Sequence, residues 1–325
     1  MADDEAFNLY FYPPSTAAAI LFTVLYGITA FAHNYMLVFY PSLHHRKTSS
    51  SSSRPRPCSR HHYTIPTAIA AALSTAGYAN RIASIKQPTI IGLYATSASL
   101  IVIAPIFVCA TVYLLFARLI VRCLPTTSTK TKLANPQVFF GITPRWMGRV
   151  FITLDVLSFM TQGAGTSIAA GANWVGNDAK VGTNVLLVGL ALQLATFSVF
   201  LVFLWLFVCR VRAIVVEGGG RFEPNVKSLL LGLGVAGLFI EIRSIYRVVE
   251  FALGVEGYPF SHEWTLYVLE AVPMLIATAV LAWTHPMRLM PEGVRGDERK
   301  GSGSGSAGGD VEQVQVKDEG MSGVV

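Results

Sequence analysis

Arg243, Arg247 and Glu250 stand at i, i+4 and i+7 in the segment FIEIRSIYRVVEF, residues 239–251. On a helix this spacing aligns three ionic groups in one stripe, with Arg247 and Glu250 within reach of each other at i, i+3. Glu241 falls on a different face and needs a partner from another helix. Residues 229–240, just before, carry no charge. A charge at the centre of a bilayer costs about 2.5–3.5 kcal/mol on insertion scales. Four such groups without compensation would cost roughly 10 kcal/mol or more, comparable to the stability of a whole domain. They must pair with one another or face a hydrated cavity. The chemistry open to them is a polar pathway or a binding site for a charged head group; the bland alternative is a lock between the last two helices.

Other polar residues in apolar surroundings extend the set. Glu270 lies about six residues, or ~9 Å, inside the boundary of its span, at about the depth of Arg247. These two are the expected inter-helix pair. Asp155 and Gln162 are seven apart and share a helix face, with Asp155 toward the cytosolic side. Gln193 is alone in its span. Arg81 and Glu263 sit near the outer rim. Arg243 and Arg247 are thus set against Glu241, Glu250 and Glu270, with Asp155 further away, which leaves a carboxylate for a cation from outside the protein.

The elements that must hold these groups are membrane-spanning helices. The chain has 325 residues, 52% hydrophobic and only 14% charged, with mean hydropathy +0.50. A soluble domain carries about 25% charged residues. Spans need about 20 apolar residues, and seven are predicted: 16–40, 64–83, 90–116, 150–171, 183–208, 229–253 and 264–284. The second is the weakest, short and rich in alanine. Pro105 should kink the third. The small-residue run QGAGTSIAAGA in the fourth favours close helix contact. The expected fold is an all-α, seven-helix polytopic membrane bundle over 16–284. A short extracellular N-terminus (1–15) precedes it and a disordered cytosolic tail (285–325) follows.

Orientation follows from lysine and arginine. The odd-numbered connections and the tail hold 20 of them, the opposite side only Arg81, Lys86 and Lys180. That split predicts the N-terminus outside and the C-terminus in the cytosol. The net charge of +6 is therefore read as topology rather than as a nucleic-acid surface, although the basic loops suit anionic inner-leaflet lipid. The acidic opening MADDEAF does not read as a signal peptide. The Ser-rich first loop and the Gly/Ser tail are low in complexity and expected to be disordered.

Several function classes are disfavoured. His44-His45 and His61-His62 lack a thiol pair at ligand spacing, so neither metal nor cofactor is expected. No phosphate-binding loop Gly-x-x-x-x-Gly-Lys-Ser/Thr occurs, so direct ATP use is not expected. No His-Glu-x-x-His or Gly-x-Ser-x-Gly suggests an enzyme. A seven-helix receptor or sensor shares the topology, but Asp-Arg-Tyr after the third span and Asn-Pro-x-x-Tyr in the seventh are both absent. Residues 264–284 contain no lysine for a retinal Schiff base.

The stretch IRSIYRVVEFALGVEGYPFSHEWTLYVLEAVPM (242–274), with GYANR (77–81), APIFVCATVYLLFARLI (104–120), FITLDVLSFMTQGAG (151–165) and GLALQL (189–194), resembles the fungal RTA-like proteins. That family is described as lipid-translocating exporters and linked to aminosterol resistance and sphingoid-base export. The Arg-Ser-Ile-Tyr-Arg-x-x-Glu-Phe core looks like the family hallmark and brings Tyr246 into the candidate set; GYANR brings Tyr78. Ser74 stands where the family often has glutamate, and Glu270 where it often has aspartate. The resemblance implies outward movement of an amphiphile with an amine head, a sphingoid base, aminosterol or phospholipid-like molecule, across the plasma membrane or an endomembrane. The alternative it leaves is a receptor or sensor that regulates lipid asymmetry without carrying lipid.

Overall fold

The computed structural model describes residues 13–48, 64–123, 144–172, 174–217, 224–254 and 257–285. The chain divides into units 1–290 and 291–325, and all described residues lie in the first. The expectations for residues 1–12, the Ser-rich loop, His61-His62 and the tail beyond His285 fall outside the described residues.

The described residues are helical, with no strand among them. Six long helices come first: α1 (Thr16–Thr48), α2 (Ile65–Lys86), α3 (Ile91–Cys123), α4 (Pro144–Gly171), α5 (Gly176–Glu217) and α6 (Pro224–Ala252). A broken element follows, made of α7 (Tyr258–Ser261), α8 (Glu263–Thr265), a π-helical turn (Leu266–Ala271) and α9 (Val272–Trp283). Five segments are long and apolar enough to cross a membrane: 16–38, 91–120, 176–213, 224–252 and 263–283. The protein is an all-helical, polytopic integral membrane protein. Among the expected spans, 64–83 and 150–171 fall on α2 and α4, which do not reach that hydropathy. Arg81, Lys86 and many small polar residues dilute α2; Arg145, Arg149, Asp155 and the small-residue run dilute α4.

The surface is apolar where a lipid-facing surface must be. Ile20, Val24, Ile28 and Phe31, one stripe of α1, are between 50% and 73% exposed. Val199, Val202 and Trp205 on α5 and Leu231 and Leu238 on α6 are likewise turned outward. Inside, Tyr113, Phe116, Phe151, Phe200 and Phe207 tie α3, α4 and α5 together through edge-on ring contacts. Pro105 lies within α3, whose helix runs through it.

Small residues set the closest crossings, as the run in α4 predicts. A Cβ on Gly165 would come within 2.4 Å of the Leu186 backbone nitrogen, and one on Gly182 within 2.5 Å of that of Ala169. α4 and α5 are therefore in backbone contact. The partner glycines in α5, Gly182 and Gly189, carried no comparable signal.

α1 runs parallel to the last element. Tyr26 Oη donates to the carbonyl of Ala271 (2.8 Å) and His33 Nε2 meets that of Thr278 (3.0 Å), both at a sequence offset of 245. The π turn was not foreseen. Val272 N–H reaches back five residues to Tyr267 O. Pro273 follows directly; it has no N–H, and its ring would strike the carbonyl four residues back in an α-helix. Widening the turn relieves that clash, and π-bulges favour functional positions.

Candidate functional site

The ionic stripe of α6 folds inward. Arg243 is 5% exposed, Glu250 4% and Glu270 2%. Arg243 Nη2 donates to Glu270 Oε1 at 2.8 Å, linking α6 to the π turn. Arg247 Nη1 donates to Glu250 Oε2 at 2.9 Å, the i, i+3 pair that the spacing predicts, and stands 3.6 Å from Glu270 Oε2. Tyr246 Oη donates to the other oxygen of Glu250 at 3.2 Å. The Arg247 guanidinium also lies over the ring of Phe251, 4.8 Å from its centroid. Two guanidiniums and two carboxylates thus form one neutral network. The expected pairing of Arg247 with Glu270 is the looser contact; Arg243 makes the shorter one. The extra residue per turn in the π segment rotates Glu270 relative to an ideal helix, which depth along the axis does not register.

Glu241 and Asp155 stand apart from this network. Glu241 accepts a hydrogen bond from Ser198 on α5, the inter-helix partner its separate face requires. Asp155 Oδ2 accepts from Tyr113 Oη of α3 at 2.8 Å. The other oxygen of each is buried without a hydrogen-bond partner. Neither meets an arginine or lysine in an ion pair among the described residues.

Gln162 and Gln193, the second read as solitary, meet each other. Gln162 Nε2 donates to Gln193 Oε1 at 2.8 Å across the tight α4–α5 crossing. This amide pair, with Arg243, Arg247 and Ser244, supplies the polar lining of a small cleft. Its apolar walls come from α3, α4 and α5, through residues such as Val102, Phe159 and Leu190. The enclosed part has room for about one water molecule; no acidic residue lines it.

Arg81 and Glu263 form a separate group at one end of the bundle. Arg81 Nη2 is 3.3 Å from Glu263 Oε1, and Arg81 Nε donates to Tyr267 Oη at 3.2 Å. The other Glu263 oxygen accepts from the backbone N–H of Ser15 at 2.7 Å. One carboxylate thereby joins the start of α1, the end of α2 and the start of α8. Tyr78 stacks on Tyr26 (5.3 Å between centroids) and flanks Phe22, which stacks on Tyr267 (5.0 Å). These rings fill the space among α1, α2 and the π turn that carries Glu270. Ser74 is buried on α2 and takes no part in this group.

Tyr113, Ser198 and Gln193 complete the polar arrangement, and sequence reasoning passed over their partnerships. The signal available was modest: a hydroxyl or amide inside an otherwise apolar span.

The chain matches the family described as RTA1 like protein over residues 67–293. It is 27% identical to Protein RTA1 of Saccharomyces cerevisiae over 87% of this chain and 86% of that protein. With Protoporphyrin uptake protein 1 of the same yeast the identity is 29%, over 84% of this chain and 90% of that protein. With the Sphingoid long-chain base transporter RSB1, also of Saccharomyces cerevisiae, it is 25%, over 66% of this chain and 61% of that protein. No solved structure shows significant similarity.

Proposed function

The chain belongs to the RTA1-like family, and from that premise we propose that it carries an amphiphile across its membrane toward the outer leaflet. Sphingoid bases, aminosterols and phospholipid-like molecules are the substrate class, and resistance to toxic lipids or drugs is the outcome. The relative named as a sphingoid long-chain base transporter supports both the lipid class and transport. The relative named for protoporphyrin uptake widens the class to amphiphiles that join a large apolar body to an ionisable head.

The observation that carries this reading is the inward-turned network of Arg243, Arg247, Glu250 and Glu270 beside a cleft. Ionic groups at membrane depth are costly, and where they line a cavity they mark substrate pathways. Asp155, Gln162, Glu241 and Tyr246 extend the pathway; Tyr78, Arg81 and Glu263 close it at the end where α1 begins.

The proposed topology has seven spans, with the N-terminus outside and the C-terminus in the cytosol, in the plasma membrane. α2 and α4, at 22 and 28 residues, are long enough to cross a core of about 30 Å at 1.5 Å per residue. The parallel course of α1 and the last element supports an odd number of crossings.

Purified protein in liposomes containing a fluorescent sphingoid base, read by leaflet-selective quenching, tests the proposal. Exchange of this probe or of a fluorescent phospholipid should exceed that of protein-free liposomes and fall at least tenfold in Arg247→Ala or Glu270→Ala. Folded wild-type protein that moves neither this probe nor a fluorescent phospholipid, yet restores resistance in cells, would replace transport with sensing.

A further inference from the structure

We propose that the cleft between α3, α4, α5 and α6 binds an oxyanion, the phosphate or carboxylate of an amphiphile's head group, rather than an ammonium. This rests on the transport reading above and narrows its substrate class to the members whose head group carries an oxyanion, the phospholipid-like molecules. The polar lining is two guanidiniums, the Gln162–Gln193 amide pair and the Ser244 hydroxyl. Arginine offers five N–H donors in a fixed fork and accepts nothing, and its fork matches carboxylate and phosphate oxygens. An ammonium, all donor, would meet mostly other donors here.

The disposition of the acids points the same way. Glu250 and Glu270 hold the two arginines but do not line the cleft. Asp155 and Glu241, two carboxylates without an ion-pair partner among the described residues, do not line it either. A further donor is left over: the Nε–H of Arg243 is buried and meets no acceptor, on a side chain only 6% exposed. A buried donor without an acceptor is costly, and an anionic oxygen supplies what is missing.

Size fits one oxygen at a time. The enclosed part of the cleft has room for about one water, which is room for a single phosphate or carboxylate oxygen. The rest of the head group would extend out of the cleft, whose apolar lining, Val102 and Phe159 among it, suits an alkyl chain.

Three probes separate the alternatives: dodecyl phosphate, dodecylammonium and inorganic phosphate, each titrated into the full chain in maltoside micelles with empty micelles subtracted. Dodecyl phosphate should bind at least tenfold more tightly than dodecylammonium. Gln193→Glu keeps an acceptor for Gln162 while placing an acid in the cleft, and should weaken dodecyl phosphate at least tenfold. Val102→Trp, which adds bulk to the lining, should weaken it similarly through bulk alone. Dodecylammonium binding as tightly as the phosphate would overturn the head-group assignment and leave transport standing. Dodecyl phosphate affinity unmoved by both variants would overturn the location. Inorganic phosphate binding as tightly as dodecyl phosphate would make this a soluble-anion site and overturn the lipid assignment. Tight, variant-sensitive dodecyl phosphate binding without leaflet exchange in liposomes would uphold the cleft and remove the transport reading instead.

Discussion

Arg243 on α6 and Glu270 in the π turn form a 2.8 Å ion pair whose side chains are 6% and 2% exposed. A second guanidinium, that of Arg247, stands 3.6 Å from the other oxygen of the same carboxylate. Glu270 is thus the shared counter-ion of two arginines; its removal takes away the ion-pair partner of Arg243, while Arg247 keeps Glu250. Buried pairs are weak evidence of net stabilisation, yet breaking one by removing a single partner is strongly destabilising.

Glu270→Ala is expected to cost about 3–5 kcal/mol, read as a lower thermal midpoint in detergent. The double variant Arg243→Met, Glu270→Leu removes both charges of the short pair and should be milder than Glu270→Ala. Equal loss in the single and double variants would show that the pair is not coupled.

At the α4–α5 crossing, Gly165→Ala would place a Cβ against the Leu186 backbone and the Gly182 carbonyl. Backbone cannot move aside as a side-chain tip can, so the helices must separate, at about 1–3 kcal/mol. Gly163→Ala, two residues away with nothing within 4 Å, should be neutral or slightly stabilising, since alanine is the better helix former. Thermal unfolding of the two variants side by side checks the contrast.

The i, i+3 contact of Arg247 with Glu250 was legible because it depends only on the pitch of one helix. The inward turn of the stripe was legible too, because hydrocarbon tolerates no other arrangement. The choice between Arg243 and Arg247 as the closer partner of Glu270 was not, since it depends on a π turn produced by Pro273. The Asp155–Tyr113, Gln162–Gln193 and Glu241–Ser198 contacts depend on how helices cross, and one-dimensional spacing holds no record of crossing angles. The small-residue run announced a close approach in α4 but did not say that Gly182 and Gly189 would face it. Counting charges leaves a carboxylate over for a cation from outside, but it holds no record that Asp155 and Glu241 accept from hydroxyls and stand outside the cleft.

Glu263 joins three elements through two oxygens. Glu263→Gln keeps an acceptor but loses the charge that holds both Arg81 and the Ser15 N–H, so the start of α1 should open more often. Hydrogen exchange over residues 15–19 is expected to quicken several-fold, while Glu250→Gln, deep in the other network, should leave that segment unchanged. Unaltered exchange in Glu263→Gln would mean that α1 is held by its ring contacts and its hydrogen bonds to the last element.

Tyr113 is the donor that Asp155 has in the bundle interior; the second oxygen of that carboxylate has none. Tyr113→Phe preserves the ring and its contacts with Phe151 and Phe200 but removes the hydroxyl. A buried acceptor stripped of its donor costs about 1–3 kcal/mol, whereas removing both partners approaches neutrality. Tyr113→Phe should therefore lower the thermal midpoint, and adding Asp155→Leu to it should recover part of the loss, since leucine fills a similar volume and needs no donor. Asp155→Asn, which still accepts from Tyr113, should be the mildest of the single changes. If Tyr113→Phe is silent while Asp155→Asn is damaging, the carboxyl is held by something other than the tyrosine hydroxyl, and the pair has no structural role of its own.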